Sequence, residues 1–267
     1  MKHCHLNIMC NELPFLKQKL PFLYKYFKQI IFIDYNLVSK TNSTDGSIEF
    51  IENFPDPANK IILIKDFDPS NVDNYNGVSF IEKQKMFAVA SKYINDDIDV
   101  VWATDLDEFF EPKLIDDVEI LYKNDRELVS IDLPHKIFVY NQYNYYNKSD
   151  FYIAPRITRH KKNFIYGHCN FGDYGKTIKY NKYCLFHFAF VGLKRCLFKF
   201  YSVYHNLNFN HKDWLNNYIY NLKNNEKYVK LIHSNTNLNL ISEPYNDLYP
   251  DYLDVDKMCI ELNEYTK

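Results

Sequence analysis

The chain has no CxxC pair, no long apolar run and no excess of either charge. Each absence removes a class of function. The six cysteines (Cys4, Cys10, Cys169, Cys184, Cys196, Cys259) keep no regular spacing, which speaks against a zinc ribbon or a disulfide framework and for reduced thiols in a cytosol-like compartment. No stretch approaches the length that crosses a bilayer, and the opening MKHCHLNIMCNELP has no apolar core of signal-peptide size. A soluble, cytoplasmic protein is therefore expected, in the host cytoplasm if the source is viral, with room only for a peripheral membrane contact. With 32 basic against 34 acidic residues the net charge is -2, so no overall field favours nucleic acid or an anionic membrane. Glycine is scarce at 6 residues beside 24 Tyr and 21 Phe, a bias attributed first to an AT-rich genome. There is no internal repeat and no linker that would divide the chain.

What is present is a hydrophobic content of 46% in 267 residues, enough for a sizeable core. The first half alternates short apolar runs with helical segments, the pattern of a mostly parallel sheet flanked by helices. HLNIMC (5–10), IIFIDY (30–35), IILIKD (61–66) and DVVWATD (99–105) read as strands. Helices are expected over 13–27, with Pro21 kinking or dividing the segment, over a short stretch after NSTDGS (42–47), and over 79–94. A helix at 114–122 and strands at 128–133 and 184–190 follow, with irregular, Tyr/Asn-rich sequence at 140–150. One domain spanning 1–267 is expected, with 1–110 as a nucleotide-binding half and 111–267 as an acceptor half with C-terminal helices. His3, Cys4, His5 and Cys10 do not form a metal cluster on this reading, because a strand sends alternate side chains to opposite faces.

The strongest local signal is TDLDEFF (104–110), which places Asp105 and Asp107 directly after an apolar strand. Carboxylates at i and i+2 of an extended strand share a face, and at the carboxyl end of the strand both can meet a divalent cation such as Mn²⁺ or Mg²⁺. The plainer alternative is two surface aspartates at a strand end.

Asn11-Glu12 after the first strand, Asn42 to Ser47 after the second, and Trp102…Asp105-Leu106-Asp107-Glu108-Phe109 after the fourth occur in one order. In this the chain resembles metal-dependent glycosyltransferases of the GT-A fold, in particular the family 2-like group. The resemblance covers residues 5 to about 200. It implies a Rossmann-like α/β nucleotide-sugar transferase fold and transfer of a sugar from a nucleoside diphosphate donor, by default a UDP-sugar, to a glycan or other hydroxyl acceptor with inversion. It also implies roles. Asn11, Glu12, Asp34 and Asp45 would hold the base and ribose, Gln84 and Lys85 would face the donor, and Lys194, Arg195 or Lys199 would contact phosphate. Asp105, Asp107 and His187 would bind the metal, with Glu108 turned toward the sugar or structural. For the base that takes the acceptor's proton, Asp173 is the first candidate and Glu108 the second. Where the family commonly runs almost directly from the second strand into its NSTDG motif, LVSKT (37–41) lengthens the loop here. Two other readings stand beside this one: a catalytically silent GT-A-like protein that binds glycan or serves a structural role, and a phosphatase of the haloacid-dehalogenase type, whose DxD normally sits on the first strand.

Overall fold

The computed structural model describes residues 1–36, 40–68, 79–140, 142–146, 156–162, 166, 175–192, 194–196, 198, 228–230, 239–245 and 247–264. The elements of the first half are β1 (His3–Met9), α1 (Leu13–Tyr26), β2 (Gln29–Asp34), α2 (Ser47–Glu52), β3 (Ile61–Ile64), α3 (Ser79–Ser91), β4 (Val100–Ala103) and β5 (Glu108–Phe109). They continue with α4 (Lys113–Asn124), β6 (Leu128–Asp132), β7 (His135–Tyr140), β8 (Asn144–Tyr146), β9 (Ile157–Arg159), β10 (Lys176–Lys179), β11 (Leu185–Val191), β12 (Tyr228–Lys230), β13 (Asn239–Pro244) and α5 (Val255–Glu264).

Apolar runs in β2, β3 and β4 form part of the seven-stranded sheet, whose order is β10-β6-β9-β4-β1-β2-β3. Its strands run parallel except β9, which lies antiparallel to β4 and β6. The expected mostly parallel sheet is therefore present. The chain also builds a six-stranded sheet, β12-β13-β8-β7-β11-β5, which the sequence did not announce because several of its strands are very short.

Period-two alternation in β1 divides the core. Cys4, Leu6 and Ile8 pack with Ile31, Ile33, Met86, Phe87 and Ala90 on the α3 side. Met9, Phe27, Trp102 and Phe110 belong to the larger cluster, which α1, α4 and α5 share with the second sheet. His3 and His5 take the latter side, with Trp102 Nε1 donating to His3 Nδ1 at 2.9 Å, so the N-terminal His/Cys residues are indeed separated by the pleat. Helix α1 runs undivided through Pro21. Pro21 is exposed there, and its ring displaces only one backbone bond on the solvent side. No helix among the described residues is long and apolar enough to cross a membrane.

Candidate functional site

Strands β3, β2, β1 and β4 lie side by side in that order, so the direction of progression reverses between β1 and β4. Open α/β sheets bind ligands at the carboxyl ends of the strands beside such a reversal. Asn11 and Glu12 follow β1, and Asp105 and Asp107 follow β4 at the same edge, since β1 and β4 are parallel.

The two aspartates are not on an extended strand. β4 ends at Ala103, and residues 105–108 form a turn closed by Glu108 N–H donating to Asp105 O at 3.1 Å. The turn carries the chain from the first sheet into β5 of the second, and a crossover of this kind leaves backbone groups that neither sheet pairs. Lys19, wholly buried on α1, satisfies them. Its Nζ donates to Thr104 Oγ1 at 2.8 Å, Asp105 O at 2.5 Å and Glu108 O at 2.7 Å. Burial pulls the Lys19 ammonium down to about 7, against the raising influence of Glu108, Asp105 and Asp107. His5, held neutral chiefly by burial, places Nε2 2.9 Å from Thr104 Oγ1 while its Nδ1 accepts from Asn7 Nδ2 at 2.7 Å. Glu108 Oε2 accepts from Asp105 N–H at 3.0 Å, and Glu108 Oε1 from Arg156 Nη2 at 2.6 Å. Arg156 reaches this edge because its carbonyl accepts from Ala103 N–H at the end of β4, and it also lies 3.9 Å from Asp105 Oδ2.

Of the metal-ligand candidates, Asp105 keeps 19% of its side chain exposed, while Asp107 and His187 are buried. His187 Nε2 lies 3.4 Å from Asp107 Oδ1, and Arg195 Nη2 lies 3.4 Å from Asp107 Oδ2. Arg195 also donates to Glu12 Oε1 at 2.6 Å and stands 4.8 Å over the Phe15 ring. The residue expected at a phosphate is thus a buried bridge between the first and third motifs. Glu108 is wholly buried with both oxygens engaged, which removes it from the reach of an acceptor hydroxyl and makes it the keystone of the turn.

The second motif is sewn to the first. Asn11 N–H donates to Ser43 Oγ and Thr44 N–H to Asn11 Oδ1, both at 2.7 Å. Asp45 accepts from Leu13 N–H at 2.9 Å and Ser47 N–H at 3.0 Å, the first backbone N–H groups of α1 and α2. Asp34 is buried and accepts from both the N–H and the hydroxyl of Ser43. Burial pushes it up to about 6, with the Ser43 bonds acting the other way. Gln84 and Lys85 are consecutive on α3, with Lys85 buried. Lys194 begins a helical turn (194–196) after Gly192. Lys199 and Asp173 lie outside the described residues.

Sequence reasoning missed Lys19, Arg156 and His135. Lys19 interrupts the apolar face Phe15–Phe22 of α1 at i+4, a signal that was there to read. Arg156 could not be found, because only the antiparallel return of β9 brings it to β4. His135 opens β7 and joins Glu108 and His187 across β5, β11 and β7, all buried, with ligand atoms within 4.8 Å of one another. An open cavity of about 420 Å³ lies elsewhere, lined by Leu13, Lys17, Phe50 and Phe54 between α1 and α2, and no candidate site residue lines it.

No family model matches the chain, and no curated protein does. Among solved structures, the crystal structure of S. aureus TarS 1-349 superposes with a TM-score of 0.45 at 12% identity, covering 83% of this chain and 71% of that one. A likeness so distant transfers neither a family nor an activity to this chain.

Proposed function

We propose that the chain is a metal-dependent glycosyltransferase that moves a sugar from a nucleoside diphosphate donor, by default a UDP-sugar, to a hydroxyl acceptor. The observation that carries this reading is the convergence, at the carboxyl edge beside the β1/β4 reversal, of three polar motifs, the first and third bridged by Arg195 and the second bonded to the first. The donor set fits a hard divalent cation such as Mn²⁺ or Mg²⁺, with Asp105 reaching solvent and Asp107 fixed behind it by His187 and Arg195. When bound, such an ion offsets the charge that builds on the departing diphosphate. Lys19 and the Arg156–Glu108 pair hold the turn rigid, so that Asp105 needs no reorganisation to meet its ligand. Asn11, Asp45 and Glu12 line the same edge as donor contacts. Asp173 is the candidate base by its position in the sequence.

The test is release of nucleoside diphosphate from a panel of UDP- and GDP-sugars with Mn²⁺ and with EDTA. Turnover with one donor, lost in EDTA, supports the proposal. No turnover with any donor, together with no metal-dependent nucleotide binding, favours the catalytically silent reading.

A further inference from the structure

At the end of the turn, three buried side chains face one another across neighbouring strands. Glu108 on β5 and His187 on β11 are directly paired, while His135 on β7 is paired with Leu185, two residues before His187, so all three project from one face of the sheet. Glu108 Oε1 lies 3.8 Å from His135 Nδ1 and 3.9 Å from His187 Nδ1. Both separations are too long for a hydrogen bond. They are about half an ångström wider than the roughly 3.3–3.4 Å between tetrahedral ligands about 2.0–2.1 Å from a zinc ion, a gap that a bound ion would draw in. His187 Nδ1 is buried and makes no hydrogen bond among the described residues. Burying such a nitrogen without a partner is costly.

We propose that Glu108, His135 and His187 bind a transition-metal ion of the zinc class, which takes His187 out of the set expected to share a cation with Asp105 and Asp107 and leaves that cation to the two aspartates. Two imidazoles and one carboxylate favour Zn²⁺ or Co²⁺ over Mg²⁺ or Mn²⁺. The three protein donors leave a fourth position for water. With Nδ1 on the ion, His187 carries its proton on Nε2, which points at Asp107 Oδ1 3.4 Å away. A carboxylate behind a ligating histidine is the usual outer support of such sites. The Arg156 bond at 2.6 Å uses one lone pair of Glu108 Oε1 and leaves another for the metal. The surrounding field does not oppose a cation, because the carboxylates of Glu12, Asp105, Asp107 and Glu108 outnumber the basic groups of Lys19, Arg156 and Arg195. The ion would tie β5, β11 and β7 together and hold Asp107 from behind through His187, so it is structural, and it does not depend on the transferase reading.

The test is the metal content of the full chain purified from zinc-supplemented and cobalt-supplemented cultures. The expected result is one ion per chain retained through dialysis against excess Mg²⁺, with the intense visible absorption of tetrahedral Co²⁺ in the cobalt form. His135→Gln is expected to lose the ion, and Asp105→Asn, which removes only the outer carboxylate, to retain it. A wild-type chain that comes out of both cultures without metal and without cobalt absorption overturns the proposal, whatever the variants do. So does a folded His135→Gln that keeps a full equivalent. If His135→Gln does not fold, the wild-type melting temperature with and without a strong chelator decides: a drop on chelation supports the ion, and no change with no metal released means that water fills the gap. None of these readouts involves nucleotide or turnover, so the inner site and the transferase reading fail separately.

Discussion

Replacing Lys19 with Met is the perturbation that exposes the anchoring of the turn. The variant keeps the length of the side chain and its packing along α1 but leaves Thr104 Oγ1, Asp105 O and Glu108 O without their shared donor. Buried acceptors that lose a partner cost about 1–3 kcal/mol each, offset in part by no longer burying a charge. The pH dependence separates these two effects. An unfolded lysine holds its proton up to its ordinary value of 10.5, whereas the folded Lys19 gives it up near 7. Between those values the unfolded chain binds the extra proton, so raising the pH favours the folded wild type. From pH 7 to 9 this one group contributes about 2 kcal/mol of rising stability. Above its folded value Lys19 is an amine with only two hydrogens for three acceptors, which loosens the turn even as the penalty for burying charge disappears. The measurement is urea unfolding of wild type and Lys19→Met at several pH values from 6 to 9. Titrating groups that do not face Lys19 are common to both chains and cancel in the difference. The wild type is expected to gain on the variant steadily above pH 7. A difference that stays flat across the range would refute the assignment of Lys19 as a buried, titrating anchor.

Asp34 gives a second pH signature of opposite direction. Its folded value of about 6 lies above the ordinary 3.8, so the folded state binds the extra proton between them and wild type should gain about 2 kcal/mol on Asp34→Asn as pH falls from 6 to 4, measured by the same unfolding assay. Arg195→Ala leaves the Glu12 and Asp107 carboxylates facing each other without their bridge, and should lower stability by about 2–4 kcal/mol in chemical denaturation, with Arg195→Lys recovering only part because a lysine cannot span both. Gly192→Ala should cost roughly 1–3 kcal/mol in thermal unfolding, because φ is +80° there and an added Cβ would stand 3.0 Å from the Leu262 carbonyl oxygen.

The parallel half of the fold was legible because its strands are continuous apolar runs bounded by turn residues. β1, β2, β3 and β4 fall where HLNIMC, IIFIDY, IILIKD and DVVWATD place them, with each end within two residues. Helix α3 was legible from Met86, Phe87 and Ala90, which are buried as their spacing implies. β8 was not, because a strand of three residues among Tyr and Asn carries too short a pattern to count.

At the end of β4, the sequence misjudged the local geometry of the two aspartates. Asp105 and Asp107 do stand at the end of β4, yet as a turn and not as an extended i, i+2 pair, because the chain is leaving one sheet for another at that point. Asn11, Asp34 and Asp45 were expected as donor contacts on the strength of resemblance. The structure brings them together, and their first use is to bind each other's backbones, which is how NE and NSTDGS come to share one edge. Partners such as Arg156 and His135 come from strands whose neighbours are set by tertiary topology, and no local pattern encodes that.

The most direct test of the transferase reading is calorimetric titration with UDP and with GDP, in Mn²⁺ and then in EDTA, on wild type and on Asp105→Asn. Asp105 is the part-exposed carboxylate of the turn, and Asp105→Asn keeps its volume. The account predicts that one nucleotide binds wild type only with Mn²⁺ and that Asp105→Asn weakens this binding at least tenfold, about 1.4 kcal/mol. Equal binding by both chains, or binding that ignores the metal, would contradict it.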